Sequence, residues 1–166
     1  MTLIDIEKYL KTMIKSAIED LKLKDKDGNP SDISVLTGLL PPKNYYKTIN
    51  EYPFVLLRTH KSSTDRISKV LNKKFIVYLG ICAEKENVSQ NQNSFDISNY
   101  EEGHKDLNNL FERIELKLLE NPYFESGHIE KIDFEAFLEQ PYPYFLGQIS
   151  IELSGSLLIK EGFSEY

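Results

Sequence analysis

Cysteine is nearly absent from this chain of 166 residues: Cys82 stands alone, so no disulfide can form within it and no thiolate cluster can hold zinc. A single cysteine fits a reducing, cytoplasmic setting. Basic charge is also short. Twenty Lys and Arg against 26 Asp and Glu leave a net charge of −6. That sign argues against sequence-specific or coating contact with nucleic acid, whose binders normally carry a basic surplus to displace counterions. No apolar run approaches the roughly 20 residues needed to cross a bilayer, so no membrane partner is expected. The opening MTLIDIEKYLKTMIKS lacks a basic segment followed by an apolar one and does not read as a signal peptide. Eight glycines are scattered singly, which leaves no Gly-Lys-Ser/Thr or G-x-G-x-x-G phosphate loop and no G-x-S-x-G nucleophile elbow.

What is present is an ordinary globular composition, 40% apolar and 28% charged, long enough for one domain with a core and too short for two. Residues 3–23 have helical period: Ile6, Leu10, Met13, Ala17 and Leu21 form a stripe that Ile14 and Ile18 widen. KDKDGNPSD, 24–32, reads as a turn or loop, and ISVLTGLL before Pro41-Pro42 leaves room for one short extended piece. PFVLLRT, 53–59, and KFIVYLGICAEK, 74–85, read as strands, the second with Phe75, Val77, Leu79, Ile81 and Ala83 on one side. Between them HKSSTDRISKVLNK is a polar connection, long for a tight turn, so the pair reads as a hairpin with an extended tip or a short helical turn. ENVSQNQNSFDISN, 86–99, is too polar to bury much surface and reads as a mobile loop.

A second helix is expected over about 100–120, with Leu107, Leu110, Phe111, Ile114 and Leu118 as its apolar stripe and Glu101, Glu102 and Asp106 in its early turns. HIEKIDFEAFLE and the 146–154 segment read as two last strands, joined by the proline-aromatic stretch QPYPYF. The tail from 155 to 166 reads as peripheral. The order α-β-β-α-β-β predicts an α+β fold: a two-layer sandwich in which a mainly antiparallel sheet of about four strands carries two helices on one face, as a single domain over 1–166.

Candidate chemistry is thin. Glu101 and His104 can share a helix face, but two ligands do not make a metal site. Negative charge near a helix start is the plainer reading. His128 beside Gly127 reads as a turn residue, and Cys82 in an apolar strand as a small buried hydrophobe. No catalytic, metal or cofactor-binding residues are assigned, and the chain is not expected to be an enzyme. The candidate contacts are instead those of assembly: Lys61, Arg66 and Lys69 in the basic connection, Asn87, Gln90, Asn91, Gln92 and Asn93 in the polar loop, and Tyr142 and Tyr144 in the proline-aromatic joint.

The string YPFVLLR, KKFIVYLGICAEK, HKDLNNLFERIELKLLE and QPYPYFLGQISIEL, after an amphipathic N-terminal helix, resembles the tail terminator (tail-completion) proteins of long-tailed bacteriophages and prophages. The resemblance runs from about residue 1 to 155 through short motifs, with Phe145 where that family commonly carries Trp. It implies a structural subunit that closes into a homo-oligomeric ring, typically hexameric, on the head-proximal end of the tail tube. The implied partners are the tube protein and the head-completion or neck proteins. The implied location is the host cytoplasm during assembly and then the virion or a tail-like particle. From the residues alone a small monomeric or dimeric α+β binding or regulatory module stays open as the rival reading.

Overall fold

The computed structural model describes residues 2–38, 52–65, 67, 70–83, 97–125, 127–140 and 143–156. The first helix, α1 (Leu3–Ile18), begins with a reciprocal cap. Thr2 Oγ1 accepts from the Asp5 amide at 3.2 Å, and Asp5 Oδ2 accepts from the Thr2 amide at 2.7 Å. The Thr2 hydroxyl, which donates to Asp5 Oδ2 at 2.7 Å, and then the Thr2 amide favour the charged carboxylate and hold Asp5 below its usual pKa. The face it buries is Ile6, Leu10, Ile14 and Ile18, a strict i, i+4 row; Met13, Ala17 and Leu21 sit half-buried at its margin.

The expected turn or loop at 24–32 is the turn of a small hairpin whose short strands the sequence did not indicate, β1 (Lys22–Lys24) against β2 (Pro30–Asp32). Asp25, itself buried, builds the turn. Its Oδ1 accepts from the amides of Asp27 at 2.8 Å and Asn29 at 2.9 Å, and Gly28 takes the left-handed φ of 82° that the turn requires. Leu23 of β1 reaches the main core.

The remaining strands are β3 (Ser34–Thr37), β4 (Phe54–Asp65), β5 (Val70–Cys82), β6 (Tyr123–Phe124), β7 (Gly127–Ala136) and β8 (Tyr144–Ser156), with α2 (Ile97–Glu120) between β5 and β6. Among the described residues the six form one mixed sheet, ordered β3-β4-β5-β8-β7-β6, curled into a half-barrel. The predicted two-layer sandwich of about four antiparallel strands in the order α-β-β-α-β-β is therefore corrected. Among the described residues two helices accompany eight strands, and β3 lies parallel to β4. Three physical reasons account for the difference. Short edge strands such as β3 and β6 carry too few residues for a period. A parallel neighbour has to be reached by a crossover, here through residues outside the described ones. Polarity is the third reason: the connection over 60–74 is mostly strand, β4 running on to Asp65 and β5 starting at Val70, because an exposed hairpin keeps its ladder without apolar residues.

Alternation sorts the two faces. Leu57, Phe75, Val77, Leu79, Ile149 and Ile151 point toward α1 and α2 and form one core with the buried rows of both helices. α2 buries Leu107, Leu110, Ile114 and Leu118, and Phe111 stacks on Phe134 of β7 at 4.3 Å. Because α2 starts at Ile97, Glu101 and Glu102 fall past the first turn, which holds no acidic residue. The predicted loop at 86–99 lies outside the described residues as far as 96, and the predicted tail beyond Ser156 does too.

Helix and sheet touch closely where Gly103 of α2 meets Phe145 of β8. A Cβ added at Gly103 would come within 2.3 Å of the Phe145 ring, which is fully buried. Gly103→Ala gains about 1 kcal/mol of helix propensity but overpacks a closed contact at a cost of about 1–3 kcal/mol. The variant is expected to unfold at lower urea concentration than the wild type; an unchanged or higher midpoint would show that the ring has room to move.

Asp106, half-buried on α2, is pushed above the ordinary carboxylate range by burial and then by neighbouring Glu102, with Lys24 working the other way. A raised folded-state pKa makes the ionised form the costly one. The penalty is absent where folded and unfolded states are both protonated, and it grows as pH rises through the folded pKa. Asp106→Asn should stabilise the protein at pH 7, with a gain that fades as the pH falls through the raised folded-state pKa and is gone below the unfolded carboxylate value. Urea titrations at several pH values will read this, and a gain independent of pH would contradict it.

Candidate assembly surfaces

The proline-aromatic stretch is a joint held by one side chain. Gln140 Nε2 donates to the carbonyls of Leu146, at 2.9 Å, and Phe137, while its Oε1 accepts from the Leu146 amide at 2.6 Å. The amide thus imitates a strand neighbour and closes the β7–β8 connection, with Phe137 N–H adding a bond to Leu146 O at 3.1 Å. Pro143, which has no donor, still offers its carbonyl to the Ala83 amide at 2.8 Å. The pleat then sends two successive aromatics to opposite faces. Phe145 enters the helix-side core against Gly103. Tyr144 turns to the other face and packs on Tyr52 at 4.5 Å, and Tyr52 meets Phe54 edge-on at 5.3 Å. Phe54 lies over Gly80, whose missing Cβ makes the room. This end of the face away from the helices is closed: Phe54, Leu56, Ile76 and Cys82 are all buried there, and Leu56 is 2% exposed.

The opposite end of the sheet is open and polar. Thr59 is the last residue of β4 in reach of α1, its Oγ1 3.4 Å from Glu7 Oε2, and every residue from His60 to Asp65 is exposed. β4 carries one bulged residue at His60 and β7 one at Glu130, both in the row of Lys74 and Glu152. Paired bulges on the two strands that flank β5 and β8 bend the sheet there. The resulting concavity, about 780 Å³, is lined by His60, Lys61, Asn72, Lys74, Glu130 and Glu152 among others. Lys74 is tied to Glu152 at 2.9 Å, and Lys131 to Asp133 at 2.7 Å, which raises the Lys131 pKa. Lys73 points the other way, toward α1. Burial lowers its pKa and the Asp5 carboxylate opposes that.

Of the residues singled out from sequence, Lys61 lies on this exposed half of β4 and Tyr144 in the aromatic cluster at the far end, so the structure does not bring them together. Arg66, Lys69, Asn87, Gln90, Asn91, Gln92, Asn93 and Tyr142 lie outside the described residues. Sequence reasoning passes over Gln140, Tyr52, Arg58 and the two bulges. Gln140 is legible in principle, as a polar side chain set next to a proline between two strands. The bulges are not, since one extra residue leaves no mark without a partner strand. Ile67, at the hairpin tip, is an apolar side chain 96% exposed. His104 has Asn108 Nδ2 3.2 Å from its Nε2, and Cys82 is buried with its sulfur 3.2 Å from the Ala83 carbonyl. Among the described residues no helix is long and apolar enough to cross a membrane.

A scan of protein-family models and a search of curated proteins find no match to the chain.

Gln140→Ala removes both halves of the joint and strands the Leu146 amide. It should cost about 1–3 kcal/mol and speed hydrogen exchange at Leu146 ahead of the rest of β8. Equal exchange at Leu146 in the variant and the wild type would mean that the side chain does not carry the joint.

Proposed function

We propose that the chain is a structural subunit that closes as a ring on the head-proximal end of a phage or phage-like tail tube. There it ends tube growth and presents the joint to head-completion proteins. The observation that carries the reading is where the resembling stretches fall. YPFVLLR and KKFIVYLGICAEK supply the hairpin β4–β5, and QPYPYFLGQISIEL, much later in the chain, supplies β8 beside β5; HKDLNNLFERIELKLLE lies on α2. Tyr52 of the first stretch and Tyr144 of the third meet in one cluster. Three of the four stretches thus lie side by side in one sheet, as expected if the likeness concerns a shared scaffold. The net charge of −6 suits a channel wall along which DNA slides without adhering.

A subunit of this kind acts by shape and contact, so the test is assembly. Removing the chain from its parent genome should yield tails of uncontrolled length that fail to join heads, with restoration by the chain supplied in trans. Tails of normal length and full infectivity, seen by negative-stain microscopy and plaque counts, would overturn the reading.

A further inference from the structure

We propose that the open flank of β4 pairs antiparallel with the open flank of β7 on a second copy of this chain, with Arg58 opposite Glu135 and Lys61 opposite Asp133. The inference rests on the ring-subunit reading and names the surface by which the ring would close. β3 covers β4 only from Phe54 to Leu57, and β6 covers β7 only at Gly127 and His128. Ile129 also gives its amide to the Pro122 carbonyl at 2.7 Å, so among the described residues β4 from Arg58 to Asp65 and β7 from Glu130 to Ala136 have a ladder on one side alone. The exposed half of β4 is not covered by the rest of the described chain, since His60 to Asp65 are all exposed.

Unpaired strand edges invite pairing, and proteins usually bar it with charge or bulges. Both devices are present here, but each edge carries its own sign. Arg58 and Lys61 on β4 make no ion pair among the described residues. β7 offers Glu130, Asp133 and Glu135, all exposed, with Lys131 already bound to Asp133. Like edges repel, β4 against β4 and β7 against β7, while β4 against β7 attracts. Strand direction agrees. β4, β5, β8 and β7 alternate up and down, so β7 of one copy meets β4 of the next in antiparallel sense when both copies share an orientation. Allowing for the bulge at His60, the register that sets Arg58 against Glu135 also sets Lys61 against Asp133. Two different patches on each subunit make a heterologous contact, the kind that closes into a ring by rotation.

Two charge-reversed chains test this. Arg58→Glu with Lys61→Glu makes both edges acidic; Asp133→Lys with Glu135→Lys makes both basic. All four side chains are at least partly exposed, and circular dichroism will check that each variant folds. Light scattering after size exclusion should find the wild type at several times the monomer mass at low salt and each variant alone as a monomer. A 1:1 mixture should recover the large species with an even number of copies, because each variant's edges fit only the other's. If either variant alone assembles as the wild type does, or if the mixture stays monomeric, the edge pairing is wrong while the ring reading stands. A wild-type chain that stays monomeric at its highest soluble concentration also overturns the edge pairing; the ring reading is then decided separately, by capture of the chain on purified tail tubes.

Discussion

The ladder between β5 and β8 is the constraint on which everything else hangs. It pairs thirteen residues without a break, from Val70 opposite Ser156 to Cys82 opposite Tyr144. Because side chains alternate strictly along both strands, this one register decides which residues face the helices and which do not; a slip of one residue would turn Ile149 and Ile151 out of the core. β4 and β7 are fitted to the two sides of that pair, and each breaks its own register once, at His60 and Glu130. The central strands stay regular and the flanking strands absorb the bend. That division of labour gives a sheet packed under helices at one end and curved, polar and open at the other.

Polar side chains in this fold serve mainly to finish elements that the backbone leaves incomplete. Asp5 closes the cap of α1, Asp25 builds the β1–β2 turn, and Gln140 stands in for a strand. Tyr9 donates to the Asn121 carbonyl just past α2 at 2.9 Å, and Arg113 ties α2 to Asp20 at 2.7 Å, which lowers the Asp20 pKa. Such groups are committed to geometry and sit apart from one another. Arg58 and Lys61 on one edge and Glu130 on the other have no such task among the described residues, and they lie on open strand edges.

Much of the core is legible in the amino-acid sequence alone. Phe75, Val77, Leu79, Ile81 and Ala83 on and just past β5, Ile149, Ile151 and Leu153 on β8, and Leu107, Leu110, Ile114 and Leu118 on α2 follow from period, and all are buried. Long amphipathic elements carry that signal because each repeat votes for the same face. The stripe of α1 reads one position off its axis, toward Met13 and Ala17, since a helix with apolar residues on neighbouring rows does not say which row is central. The two-residue β6, the parallel β3 and the exposed ends of β4 and β5 escape such a reading. Their strand character comes from a hydrogen-bonded neighbour and not from their own side chains.

The proline-aromatic joint divides along the same line. The sequence by itself determined that the chain must stay extended there, because Pro141 and Pro143 restrict φ and remove two donors, and that an alternating strand follows. Only the tertiary structure decided that Phe145 fills a gap left by Gly103, that Tyr144 meets Tyr52, and that among the described residues the sheet has six strands with two unequal open edges. Period along a chain records which side of an element is apolar. It holds no record of which element lies across from it, and that partner is what turns a strand into an edge, a bulge or a centre.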